Sequence, residues 1–302
     1  MRTKRVLKKK VKIGLIIFVS AVVVLVIGIK SIKYHNSDIY KLKKLGYDKS
    51  TSNEIIKLEK SKLVIENKYN SKILDILNSK YFLEKNLSKY IDYYEKNTST
   101  SIDDIIALVN VHRDNESYTL DLKADTSLGY SMLVNKYYSL DKNYVPDNLY
   151  KVSQWYGYGS NQLIEEIYDA FIEMCEAAEE EDLKLIINQA YRSYEEQKDD
   201  FETLGEMVAA RPGHSEHNAS LAVDITTDDV EDENFEKTDE YKWLVKNSYK
   251  YGFILRYPKG KENITGYTYE PWHFRYLGKN LAKEVFKSGL TFDEYYAYYI
   301  EK

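Results

Sequence analysis

The sequence predicts an α+β domain that follows a helical stretch and an N-terminal membrane-spanning helix. Three observations lead there. A basic start gives way at once to an uncharged apolar run; residues 36–125 contain no proline and a single glycine; and beyond residue 126 short β-type runs alternate with amphipathic helical ones.

Residues 1–12 carry seven Lys or Arg and no acid, and Ile13 to Ile29 (IGLIIFVSAVVVLVIGI) follows without a charge. Those seventeen residues lie at the short end of the range, about 17–25, that spans a bilayer as one helix. A basic flank stays cytoplasmic, which sends the rest of the chain outside. A cleaved signal peptide is the alternative, but its apolar region would be about 7–15 residues long with an A-x-A-like site after it. Here Lys30-Ser31-Ile32-Lys33 follows instead. A buried soluble helix fits less well, because the run is apolar on every side and abuts a dense basic cluster. The expectation is a basic cytoplasmic tail (1–12), an uncleaved transmembrane anchor (13–29) and an extracellular remainder.

Residues 36–125 read as a helical region. Thr51-Ser52-Asn53-Glu54 is a capping-box signature ahead of Ile55, Leu58 and Val64, and Gly46 stands where a preceding helix would stop. Ile73, Leu74, Ile76 and Leu77 continue at helical spacing, and Ser101-Ile102-Asp103-Asp104 opens another helix through Ile105, Leu108 and Val109. About three to five short helices are expected, forming either a spacer or a packed extension of the C-terminal domain.

In residues 126–302, Leu185-Ile186-Ile187, Leu221 to Ile225, Phe253 to Tyr257 and Trp272 to Tyr276 read as strands, while 161–180, 194–208, 239–251 and 279–288 read as helices. This length suffices for one well-buried core. Cys175 is the only cysteine, so no intrachain disulfide can form, and its apolar helical surroundings suit a small buried side chain better than a nucleophile. The chain carries a net charge of −5, and residues 126–302 hold 19 basic against 33 acidic residues, a balance of −14. Bulk electrostatics therefore exclude nucleic acid and other anionic polymers as partners, and any grip on a ligand must be local.

The chemistry concentrates in two stretches, Arg211 to Asp224 and Glu270 to His273, which hold three of the five histidines. His217, Asp224 and His273 offer two imidazoles and a carboxylate, the donor set of a catalytic zinc ion that keeps one position open for water. Glu270 is left over as a base, since a carboxylate beside such a water can take its proton and pass it to a leaving nitrogen. Taken alone, His217 and Asp224 read equally well as an ordinary hydrogen-bonded pair. Glu270 and His273 tip the balance toward a metal site.

Tyr191-Arg192-Ser193-Tyr194-Glu195-Glu196-Gln197, the Ser215-x-His217-x(6)-Asp224 run and Glu270-Pro271-Trp272-His273-Phe274-Arg275-Tyr276 together resemble the three sequence blocks of the VanY-type D-alanyl-D-alanine and L,D-carboxypeptidases, zinc peptidases of peptidoglycan. The resemblance begins near Leu133 to Lys136 and Tyr144-Val145-Pro146 and runs to roughly residue 290. It implies a small antiparallel sheet with flanking helices forming a zinc cleft, with His217, Asp224 and His273 as zinc ligands and Glu270 as general base. Arg192, with Ser215 and Gln197, would contact the terminal carboxylate of the peptide or the developing oxyanion, a task that suits the planar guanidinium fork. Trp272 and Tyr276 are expected to pack the pocket wall or core, and His214 to brace the loop. Two departures stand out: the family usually has Gly where this chain has Ser220, and Ser-Gly where it has Gln189-Ala190. The resulting expectation is a membrane-anchored, outward-facing zinc carboxypeptidase domain (126–302) that removes the terminal D-alanine from peptidoglycan stem peptides. A zinc endopeptidase of the cell wall and a non-catalytic wall-binding relative are the alternatives.

Overall fold

The computed structural model describes residues 2–35, 37–120, 122–206, 208–228 and 232–301. Of the ranges expected above, Met1, Asn36, Asp121, Met207, residues 229–231 and Lys302 lie outside the described residues, as do the side chains before Phe18. The chain divides into two compact units, Met1–Ile106 and Ala107–Lys302. This division falls earlier than the 125/126 boundary read from composition. The reason is local: His112 Nε2 lies 3.1 Å from the Tyr138 hydroxyl and Arg113 Nε donates to the Asn263 carbonyl at 2.8 Å, which ties this stretch to the C-terminal unit.

The first unit begins with a helix, Arg2–His35. Its stretch Phe18–His35 is long and apolar enough to cross a membrane, with a mean hydropathy of 1.6 and none of it buried. Eighteen residues rise roughly 27 Å as a helix, close to the hydrocarbon thickness. Then come Asp38–Leu45, Lys49–Lys57, Ser61–Ile65, Ile73–Asn78 and Leu87–Lys96, and the division falls within the next helix, Ile102–Asn110. That makes six described α-helices, more than the three to five expected, because Glu59 takes a left-handed φ of 59° and breaks the periodic stretch after Lys57. Gly46 does end its helix, at φ 118°. The capping box at Thr51 is a correction: Asp48 is the N-cap and accepts from the Thr51 N–H at 2.7 Å, so Thr51 already lies inside the helix. A longer acidic acceptor upstream satisfies the free N–H groups first. Leu42, Ile55, Val64, Ile76, Tyr90 and Ile105 are fully buried and supply this unit's core.

The second unit is α+β, built around a four-stranded sheet. In spatial order its strands are Ile186–Gln189, Ala222–Thr226, Glu270–Tyr276 and Phe253–Tyr257, and every neighbouring pair is antiparallel. Side chains alternate between the two faces. Val223, Ile225 and Phe274 enter the main core with Ile167, Phe171 and Met174 of the helix Glu165–Glu179, which recur at helical spacing. The opposite face carries the polar residues Asp224, His273 and Arg275.

The expected helices form as Glu165–Glu179, Tyr194–Leu204, Asp239–Asn247 and Lys279–Ser288. The first starts later than residue 161 because Gln162–Ile164 pairs antiparallel with Leu149–Lys151. The second ends at Leu204, where Gly205 turns the chain at φ 77°. Cys175 is buried in the core, and burial pushes its thiol far above the usual range, as suits a packing residue. A C-terminal segment, Phe292–Tyr295 continued by Tyr296–Ile300, was not apparent in the sequence; it packs Phe292 and Tyr296 against Leu133, Ile254 and Val285.

Candidate metal and peptide site

The site grows from the polar face of the sheet. Asp224 and His273 are direct cross-strand partners, so the pairing register alone sets them side by side, with Asp224 Oδ1 3.1 Å from His273 Nδ1. His217 comes from the turn Glu216–Ala219 that leads into the Asp224 strand, and its Nε2 lies 3.4 Å from the same carboxylate oxygen. That turn is held by its surroundings. Ser215 Oγ accepts from the His217 N–H, Asn218 Oδ1 accepts from the Gly213 N–H at 3.0 Å, and Asn218 Nδ2 donates to the Arg192 carbonyl at 2.7 Å. Gly213 sits at φ 82°, where a Cβ would come within 2.9 Å of the Leu140 carbonyl oxygen. Only glycine fits this close approach.

Second contacts fix each imidazole. His217 Nδ1 lies 2.7 Å from the Ala190 carbonyl. A carbonyl can only accept, so Nδ1 carries the proton and the Nε2 lone pair faces Asp224. His273 Nε2 points at Glu216 Oε2, 3.4 Å away, which leaves Nδ1 for the site. Such outer contacts are how metal-binding histidines are oriented.

The donor atoms of His217, Asp224 and His273 all lie within 4.8 Å of one another. The two edges that meet at Asp224 Oδ1, 3.1 and 3.4 Å, match the roughly 3.3 Å between ligands of a tetrahedral zinc ion with bonds of about 2.0–2.1 Å. Asp224 Oδ1 is buried without a hydrogen-bond partner. A buried carboxylate oxygen without a hydrogen-bond partner, set between two imidazole nitrogens, is costly unless a cation completes it. These residues fit a divalent metal.

The electrostatics follow from crowding. Burial alone would raise the Asp224 carboxyl, but the flanking His217 and His273 imidazoles outweigh it and hold it well below the usual range. Burial lowers the His273 imidazole, yet the neighbouring Asp224 and Glu216 carboxylates prevail and lift it to about 9. Glu270 Oε2 lies 3.7 Å from His273 Nδ1. Its carboxyl is raised to about 7, first by burial and then by the negative Asp224 and Glu216, with His273 opposing. In an unbroken strand Glu270 and His273, three residues apart, would face opposite sides. The register slips here: Leu255 pairs with Phe274 but Tyr257 with Glu270, so two residues of one strand span four of the other, across Pro271. The slip turns Glu270 toward the site.

Arg192, Gln197, Ser215, Trp272 and Glu270 line one cleft of about 470 Å³ with the three metal-type donors. The Arg192 guanidinium is held by Gln197 Oε1 at 3.0 Å, Asp200 Oδ2 at 3.0 Å and Gln189 Oε1, while its Nε stays buried without a partner. Gln197 also donates to the Ala210 carbonyl at 2.8 Å, so both ends of its amide are engaged within the protein. Tyr276 is buried in the core. His214 Nδ1 lies 2.8 Å from the Asn135 carbonyl, outside the donor cluster. The two departures have physical accounts. Ser220 takes the left-handed conformation, φ 55° and ψ 29°, and its hydroxyl accepts from the Ile164 N–H at 3.0 Å; Gln189 braces Arg192.

The sequence reading gave no role to Glu216, Arg256 or Asp293, and none to Arg275 beyond its place in the last block. Arg256 and Arg275 are fully buried and both donate to Glu216 Oε1 at 2.7 Å. One signal was available: Arg275 shares the strand parity of His273, and a buried arginine requires a buried acid.

A family described as VanY, D-alanyl-D-alanine carboxypeptidase, matches residues 160–279. The YodJ protein of Bacillus subtilis (strain 168) is 42% identical over 179 residues, covering 54% of this chain and 66% of its own length, just under two thirds. The bifunctional D-Ala-D-Ala dipeptidase and D-Ala-D-Ala carboxypeptidase VanXYC of Enterococcus gallinarum is 34% identical over 132 residues, 39% of this chain and 68% of that protein. Among solved structures, the LdcB LD-carboxypeptidase, reported with the basis of its peptidoglycan recognition, aligns with a TM-score of 0.56 and 37% identity, covering 61% of this chain and 94% of that one.

Proposed function

This chain belongs to the VanY family, and from that premise we propose that it is a zinc-dependent carboxypeptidase that removes the C-terminal D-alanine from peptidoglycan stem peptides. The observation that carries the reading is the unsatisfied Asp224 oxygen between His217 and His273, with Glu270 beside them. The zinc ion, when bound, supplies a Lewis acid and a place where water ionises near neutral pH.

The protein's own residues do the rest. His217, Asp224 and His273 hold the ion, and the carbonyl of Ala190 and the carboxylate of Glu216 keep the two rings aimed. Glu270, which lines the same cleft as the three metal-type donors, takes a proton from the attacking water and delivers it to the departing amine nitrogen. Arg192, braced by Gln189, Gln197 and Asp200, binds the terminal carboxylate of the peptide, and Ser215 borders the same cleft. The helix Arg2–His35 anchors the protein in the membrane with the second unit outside; a C-terminal reporter should then be active only outside the cytoplasm.

Product analysis with tetrapeptide and pentapeptide stems tests the activity. Release of a single terminal D-alanine is expected. Cleavage inside cross-linked peptides without a free terminus would establish the endopeptidase instead, and no cleavage of either by zinc-loaded protein would refute the proposal.

A further inference from the structure

We propose that Asp293, which lies beyond the family-matched residues 160–279, is a positioning residue for His273, acting through Arg256 and Glu216. The inference rests on the metal site proposed above. Four buried charges form one chain of contacts. Asp293 Oδ2 accepts from Arg256 Nη1 at 2.5 Å, and Asp293 Oδ1 accepts from Asn135 Nδ2 at 2.8 Å. Arg256 Nε and Arg275 Nη1 both donate to Glu216 Oε1, each at 2.7 Å. The other oxygen of Glu216, Oε2, is thereby left for His273 Nε2.

The balance of charge explains why a residue this remote matters. Two guanidinium groups face two carboxylates in a region that excludes water: Arg256 and Arg275 are 0% exposed, Glu216 is 1% and Asp293 is 2%. If Asp293 loses its charge, Arg256 has only Glu216 as a counterion. A guanidinium in that position favours a two-oxygen grip on the carboxylate, which draws Oε2 away from His273 and frees the ring to turn. Asp293 itself is fixed by its helix, where Thr291 and Glu294 form a reciprocal capping box and Phe292 is buried.

Zn²⁺ affinity of the full-length chain, purified in detergent and measured by competition with a chromophoric chelator, tests this. Asp293→Asn should bind Zn²⁺ about 10–100-fold more weakly, the range for losing an outer contact of a ligand histidine. Removing both charges, Asp293→Asn with Arg256→Met, should restore affinity to within about threefold of native, because Glu216 then balances Arg275 alone. A role in general packing predicts the opposite, a double variant worse than the single. Unchanged affinity in folded Asp293→Asn, or a double variant as weak as or weaker than the single, would overturn the inference. If Asp293→Asn does not fold, the double variant decides: near-native affinity supports the proposal and a tenfold or greater loss refutes it. Failure of the native protein to bind Zn²⁺ would instead sink the metal site itself.

Discussion

Replacing Glu270 with Gln removes one of the three carboxylates that crowd His273, the others being Asp224 and Glu216, while preserving side-chain shape. In the metal-free protein the Glu270 carboxyl is raised from the ordinary 4.5 to about 7, chiefly by burial. A group whose folded pKa is raised favours folding when protonated. That contribution is fully present below pH 4.5 and is lost as pH rises through about 7. At about 1.36 kcal/mol per pKa unit, a rise of roughly 2.5 units costs about 3 kcal/mol once the group is ionised. Glu270→Gln should therefore stabilise the chelator-treated protein by about 2–3 kcal/mol at pH ~8.5 and hardly at all near pH ~4.5, as read from urea unfolding. An equal difference at both pH values would refute the burial argument. With metal present, the same variant should retain the ion and lose about 10²–10⁴ in turnover, some 3–5 kcal/mol of barrier. Near-normal turnover would remove Glu270 from the mechanism.

Three further outcomes follow from the same geometry. His217→Ala or His273→Ala should abolish stoichiometric zinc and activity together, since three protein ligands leave none to spare; full metal content in either variant would dissolve the site. Arg192→Ala should erase most of the preference for a free peptide carboxylate over its amide, a preference expected at roughly 30-fold or more in kcat/KM, from the about 2–5 kcal/mol lost when one partner of a buried charge pair is removed. Equal rates on acid and amide in the native protein would exclude the clamp. Ser220→Ala keeps φ at 55° and orphans the Ile164 N–H, so it should destabilise by about 1–3 kcal/mol; Ser220→Gly relieves the left-handed strain and should recover about 1 kcal/mol of that. A glycine variant less stable than the alanine variant would contradict this account.

Much of the site was legible in the sequence because its rules are local. Period-2 alternation put the apolar Val223 and Phe274 on one face and Asp224 and His273 on the other, and the seven-residue step from His217 to Asp224 is a turn followed by a short strand. Helix ends marked by Gly46 and Ser101 were equally plain, as each depends on a few adjacent residues. Composition alone marked the apolar run Ile13 to Ile29, which overlaps the Phe18–His35 stretch of the first helix. Only the tertiary structure decided the rest. Glu270 reaches His273 because two strands slip register across Pro271, which neither strand encodes by itself. The chain of Asp293, Arg256, Glu216 and His273 joins segments distant in sequence. Asp293, Arg256 and Glu216 are charges that local patterning assigns to the surface, and they are stable inside only because folding delivers their counterions to the same dry place.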